Sequence, residues 1–107
     1  MSKEYIVPDW SAPPKYKLWL DVHKDGNIVE SIKLGGQHFF LIGKQDDVCD
    51  IVTAHPSCSR QHAVLQFRDD GALLIKDLQS GNGTQVNKNK LIGSLGTSMG
   101  DYKMLYI

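Results

Sequence analysis

The chain has 107 residues, enough to bury one core and too few for a second. Hydrophobic residues make up 41% and charged residues 22%, the make-up of a folded domain rather than of a disordered chain. Its 12 Lys plus Arg balance its 12 Asp plus Glu, which argues against a broad footprint for nucleic acid or an anionic membrane while leaving room for a small local anion site.

Residues 1–16 are expected to form an extended N-terminal tail ahead of a domain at 17–107. Pro8, Pro13 and Pro14 lack donors and bias their neighbours toward extended backbone. Trp10 is the one large apolar residue in the polar part of this stretch, placed to pack on the edge of the domain. No charged-then-apolar leader opens the chain, and no apolar run approaches the ~18 residues of a membrane span.

From Lys17 onward short strand-like runs alternate with turn signals. Lys17–Val22 alternates, with Leu18, Leu20 and Val22 facing one way. Asp25-Gly26 supplies a turn, then 27–34 forms a second strand that Gly35-Gly36 ends. The nearly continuous apolar run His38–Ile42 predicts a buried central strand. Further strands are predicted at Asp50–Thr53, Ala63–Phe67, Ala72–Leu78 (after the Asp69-Asp70-Gly71 turn), Thr84–Asn87 and Tyr102–Ile107. No stretch carries helical spacing over three turns. Many short strands with Gly, Asp and Asn turns predict an all-β antiparallel sandwich or barrel.

Two inter-strand loops carry the chemistry. One runs from Ala54 through His55, Pro56, Ser57, Cys58, Ser59, Arg60 and Gln61 to His62; the other runs from Asp77 through Ser80, Gly81, Asn82 and Gly83 to Thr84. Both are rich in small hydrogen-bonding residues, and loops on a rigid sandwich are where binding residues sit. A phosphate offers about two negative charges and three acceptor oxygens, and its natural partners are hydroxyls, amides and cations. Ser59 and Arg60 supply a neutral and a charged donor side by side.

Gly43 after an apolar strand, then Ser59-Arg60-Gln61-His62, then Asn82-Gly83-Thr84 with Val86-Asn87 following, resembles the forkhead-associated domain pattern, with matching order and spacing from about Leu41 to Asn87. The wider frame, with Pro8, Trp10, Asp47–Asp50 and His55-Pro56-Ser57, resembles the subgroup found in the nuclear inhibitor of protein phosphatase, in kanadaptin and in Smad-nuclear-interacting protein. The resemblance implies a sandwich of about ten or eleven short strands that binds a phosphothreonine peptide at one end, in nuclear regulation or RNA processing. By position, Ser59 and Arg60 would meet the phosphate, Asn82 would bond the peptide backbone with Gly81 beside it, and Ser57 would read a residue C-terminal to the phosphate. Gly43, His62, Gly83 and Thr84 would support the site.

Two departures stand out. The residue after Gly43 is usually arginine in that family; here it is Lys44, which keeps the charge and loses the bidentate fork, so weaker phosphate binding is expected, with Arg60 carrying more of the charge. The family closes with two strands, one after Gly-Asp and one pairing back with the first strand. Here only twenty residues follow Asn87, so Tyr102–Ile107, preceded by Gly96-Thr97-Ser98 and Gly100-Asp101, stands for one or the other and about one strand is missing. An open sheet edge predicts pairing with another chain, as in a dimer.

Other chemistry has little footing. Cys49 and Cys58 make neither a disulfide framework nor a metal cage, and buried reduced thiols in a nuclear or cytoplasmic protein are expected. A zinc site from His55, Cys58 and His62 would need a helix that Pro56 opposes. A Ser59/His62 nucleophile pair lacks a glycine-flanked elbow and an orienting acid. No enzyme activity and no cofactor are expected. The competing reading is a phosphate-independent scaffold of the same fold, with a pocket weakened by Lys44.

Overall fold

The computed structural model describes residues 5–53, 56–86, 89–90 and 103–105. It is all-β, with nine strands among those residues: β1 (Leu18–Lys24), β2 (Asn27–Leu34), β3 (Phe39–Gly43), β4 (Ile51–Val52), β5 (Ala63–Phe67), β6 (Leu73–Asp77), β7 (Gln85–Val86), β8 (Asn89–Lys90) and β9 (Lys103–Leu105). A five-stranded sheet in the order β4-β3-β5-β6-β9 forms the centre, and β1-β2 and β7-β8 are separate antiparallel pairs.

Alternation along the central strands sorts their side chains onto two faces. Phe40, Ala63, Leu65, Phe67, Leu73 and Ile75 join Leu34 and Ile51 in one cluster, against which Leu18, Leu20 and Ile32 of the β1-β2 hairpin pack. Phe40 and Phe67 meet edge to face there, with centroids 6.4 Å apart. The hairpin turns through Asp25 and Gly26, whose φ values of 52° and 82° are those of the tight connection that matches strand twist.

The opposite face is covered as well. Leu41, Cys49, Val64 and Leu74 lie there, with Tyr5, Trp10 and Phe39 packed against them. Segment 5–16, expected as an extended tail, is therefore strapped to the sheet. Ala12 N–H donates to the Phe67 carbonyl (3.3 Å) and Asp69 N–H to that of Trp10 (3.2 Å). Gln66, fully buried on β5, ties the strap down: its Oε1 accepts from the Tyr5 hydroxyl (2.7 Å) and its Nε2 donates to Ser11 Oγ (2.8 Å). With both faces covered, β5 and β6 are buried at every position, where alternation alone predicts one wet face. Each fully buried Val, Leu or Phe contributes about 1.5–3 kcal/mol.

One pairing differs from the expected antiparallel sandwich. β3 and β4 run parallel, Ile42 opposite Ile51 and Gly43 opposite Val52. The loop between them has only to bring the chain back beside the end of β3, and a turn at Gln45, whose carbonyl accepts from Val48 and Cys49, does so. The last described strand, for which the sequence left two closing roles open, pairs antiparallel with β6, Leu73 opposite Leu105. A wholly buried β6 must satisfy the backbone groups of its outer edge, and β9 does this. Residues 96–98 and 100–101, invoked for the closing strands, lie outside the described residues, as do Asn87 and His55.

Candidate functional site

The C-terminal end of β3, the approach to β5 and the loop after β6 meet at one end of the large sheet. Gly43 makes the approach possible. A Cβ there would stand 2.1 Å from the Arg60 carbonyl oxygen and 2.9 Å from Cys49 Sγ, so any side chain would drive Arg60 away. In the space left, two backbone bonds join the loops: Lys44 N–H donates to Ser59 O (3.0 Å) and Gln45 N–H to Arg60 O (3.1 Å). The Cys49 thiol donates to the same Arg60 carbonyl (3.1 Å). Burial pushes that thiol up from its ordinary pKa; the Gln45 backbone bond opposes this and the Asp50 and Asp47 carboxylates add to it, so Cys49 stays a protonated donor. Cys58, expected buried, is only half-buried.

His62 joins this loop to the next. Ser59 N–H reaches its Nδ1 (3.1 Å), which must accept, and its Nε2 lies 2.9 Å from Gly83 O, to which it must donate. Both ring nitrogens of the neutral Nε2–H tautomer are thus engaged. That use leaves neither for a metal, and the ring bonds the backbone of Ser59 rather than its hydroxyl, so the two do not form a nucleophile–base pair.

Two further bonds close the loops on each other. Gly81 N–H donates to Ser59 Oγ (2.9 Å), which leaves the hydroxyl proton for another acceptor. Asn82 Nδ2 donates to Ser57 O (2.9 Å), using one of its two N–H groups. Among the described residues, left-handed backbone in the β6–β7 loop falls on Gln79 (φ 58°) and Gly83 (φ 81°) and not on Asn82, so Asn82 is not serving as a turn residue of that kind.

Asp77 is a contributor that reading the sequence missed. It closes β6, is 4% exposed, and accepts three bonds: from Ser80 N–H (3.1 Å), Ser80 Oγ (2.5 Å) and Thr84 Oγ1 (2.6 Å). Those bonds shape the loop that carries Gly81, Asn82 and Gly83. The signal was available as an acid followed by hydroxyl residues three and seven positions on, the spacing of a side chain folding its own loop back.

The structure therefore brings Lys44, Ser57, Ser59, Arg60, Gly81 and Asn82 to one end of the sheet, with His62, Gly83 and Thr84 in the bonds that shape the loops and Gly43 at the close approach to Arg60. Arg60 and Lys44 are exposed, and the side chains of neither engage a carboxylate among the described residues. Two cations without a carboxylate partner among the described residues, a serine hydroxyl with its proton to donate and an exposed amide make a site suited to a dianion carried on a peptide.

The family profile described as FHA domain matches residues 40–99. The human nuclear inhibitor of protein phosphatase 1 is 35% identical over 88 residues, covering 81% of this chain and 25% of its own. The chain thus spans about a quarter of that relative's length. Among solved structures, the FHA domain of the CT664 protein from Chlamydia trachomatis has a TM-score of 0.69 at 30% identity, covering 84% of this chain and 81% of that one. A structure described in terms of phosphothreonine-dependent FHA domain interactions has a TM-score of 0.57 at 23% identity, covering 77% of this chain and 70% of that one, a likeness of fold.

Proposed function

The chain belongs to the FHA domain family, and from that premise we propose that it is a phosphothreonine-peptide binding module that mediates phosphorylation-dependent protein–protein interaction in nuclear regulation or RNA processing. The observation that carries the reading is the pair of exposed cations, Lys44 and Arg60, without carboxylate partners among the described residues, on two loops joined by Lys44 N–H to Ser59 O and Gln45 N–H to Arg60 O, with Gly81 N–H to Ser59 Oγ and Asn82 Nδ2 to Ser57 O tying the β6–β7 loop to them. In this reading Ser59 donates to a phosphate oxygen while accepting from Gly81, Arg60 and Lys44 neutralise the charge, Asn82 bonds the peptide backbone, and Ser57 lies where a residue beyond the phosphothreonine passes. The module works by binding and performs no catalysis. Its place is nuclear, as the name of the human relative suggests.

Magnitudes fit a reversible interaction. Three or four hydrogen bonds to charged oxygens, at about 1.5–3 kcal/mol each, reach roughly the −8 kcal/mol of a micromolar complex. Ordering the peptide costs part of that, so micromolar or weaker affinity is expected.

Lys44 favours a second reading, a phosphate-independent scaffold. An oriented phosphothreonine-peptide library, screened beside its unphosphorylated counterpart on wild type and on Ser59→Ala, separates the two. Phosphate-dependent selection lost in the variant supports the phosphopeptide site. Equal capture of both libraries supports the scaffold.

A further inference from the structure

A second cleft lies at the other end of β3 from the phosphopeptide loops. It holds about 290 Å³ and is formed by the end of the N-terminal strap, with Lys15, Tyr16 and Lys17, against Lys33 and the Gly35-Gly36 turn. That volume is near the lower limit of a small-molecule pocket, roughly 300 Å³. Three lysines line it and no carboxylate does. None of the three is ion-paired among the described residues. Asp69 and Asp70 lie on the hairpin whose Gly71 receives the Tyr16 hydroxyl bond (3.1 Å), with Asp70 held by Arg68, and Asp21, on the same face of β1 as Trp19, accepts from the Ser31 hydroxyl (2.7 Å).

Aromatic rings stand among these cations. Trp19 is directly opposite Lys33 across the β1-β2 pair and is 56% exposed, with the Lys33 ammonium 5.9 Å from its ring centroid. Tyr16 is 43% exposed. The run Lys15-Tyr16-Lys17-Leu18-Trp19 thus alternates exposed cation and exposed ring around a half-buried Leu18. The zero net charge of the whole chain hides this concentration, in which β2 adds Lys33 to the contiguous run 15–19.

We propose that this cleft and the adjoining face of Trp19 bind single-stranded nucleic acid, the lysines meeting successive phosphates and the indole stacking on a base. Cations alone would serve an acidic peptide as well. Exposed rings interleaved with them are the arrangement that stacks bases irrespective of sequence, and they decide the ligand class. The Gly35-Gly36 turn, without side chains, leaves the strand room to pass. The site is separate from the phosphopeptide loops and stands or falls independently of their function.

The test measures binding of a fluorescein-labelled 12-nucleotide oligouridylate, beside oligothymidylate, inorganic polyphosphate and an oligoglutamate of equal charge, with tryptophan fluorescence followed in parallel. The two oligonucleotides distinguish RNA from DNA as the source. Both are expected to bind at low salt, with log K falling against log salt at a slope of about −2 for three lysines. Tryptophan emission is quenched. Trp19→Ala weakens binding about tenfold, Trp19→Phe largely preserves it, and Lys15→Glu/Lys17→Glu/Lys33→Glu abolishes it, all with unchanged melting because these residues are exposed. The proposal is overturned by no binding at 50 mM salt, by equal binding of oligoglutamate or polyphosphate, or by oligonucleotide affinity that ignores both the Trp19→Ala and the lysine substitutions.

Discussion

The chain has two arginines, and they stand at the two ends of the same strand. Arg68 follows β5 and is closed on itself: its Nε donates to Asp70 Oδ1 (2.9 Å) and its terminal nitrogen to Asp70 Oδ2 (2.7 Å). Arg60 precedes β5 and is arranged the other way. Its carbonyl is clamped by Gln45 N–H and the Cys49 thiol, while its guanidinium lies exposed without a carboxylate among the described residues. One arginine shapes a turn; the other is presented by a fixed backbone with its charge uncompensated. What makes a cation available for recognition is therefore the main-chain clamp beneath it, as much as the charge itself.

That contrast breaks most completely at Gly43. A methyl group 2.1 Å from the Arg60 carbonyl meets backbone, which cannot swing aside as a side-chain tip would. Gly43→Ala is expected to cost about 3 kcal/mol in chemical denaturation, the upper range for overpacking, and to abolish phosphopeptide binding even under conditions where the domain is folded. Binding retained in the folded variant would show that the clamp is irrelevant to presentation.

Swapping the two ends sharpens the comparison. Arg60→Ala should weaken phosphothreonine-peptide binding by about ten- to a hundredfold in calorimetric titration, the loss of a charged hydrogen bond, while leaving the melting temperature in place. Arg68→Ala should leave that affinity unchanged. Equal effects of the two substitutions would mean that binding responds to overall charge and not to a built site.

How much of this was legible without coordinates follows from how far apart the causes lie along the chain. Ala63–Phe67 and 27–34 have the expected bounds because turn residues flank them and their side chains suit strands. The two loops were recognisable because their site residues are concentrated in short stretches, Ser57–His62 and Gly81–Thr84. The difference between the arginines was hidden, since it depends for one on Asp70 two residues on and for the other on an absent side chain at Gly43. Gln66 reads as the wet side of an alternating strand; it is buried because Tyr5, 61 positions away, lies over it. Asp77 reads as a strand end, and its three loop bonds appear only once the loop is closed.

A smaller effect concerns Lys44, whose backbone is already fixed by its bond to Ser59 O. Lys44→Arg restores a planar fork on a positioned stem and should tighten phosphopeptide binding about fivefold, with no change toward the unphosphorylated peptide. An equal gain toward both peptides would place the added contact outside the phosphate.

The smallest effect belongs to the closed arginine. The hydrogen-bonded guanidinium of Arg68, aided by Ala72 N–H at 3.0 Å, holds the Asp70 carboxyl down to about 2 from 3.8. A carboxyl depressed on folding contributes stability that is present above its ordinary value and is lost as pH falls through the folded one, so the hairpin's share disappears between about pH 4 and pH 2. The pair is exposed to solvent and screened, so the change in global stability should be slight, and the sensitive readout is the carboxyl resonance of Asp70. Its midpoint should rise toward the ordinary carboxylate range in Arg68→Ala and stay near 2 in Arg60→Ala. A midpoint that moves equally in both variants would mean that the two ends of β5 are electrostatically coupled, and the division between a closed and a presented arginine would have to be given up.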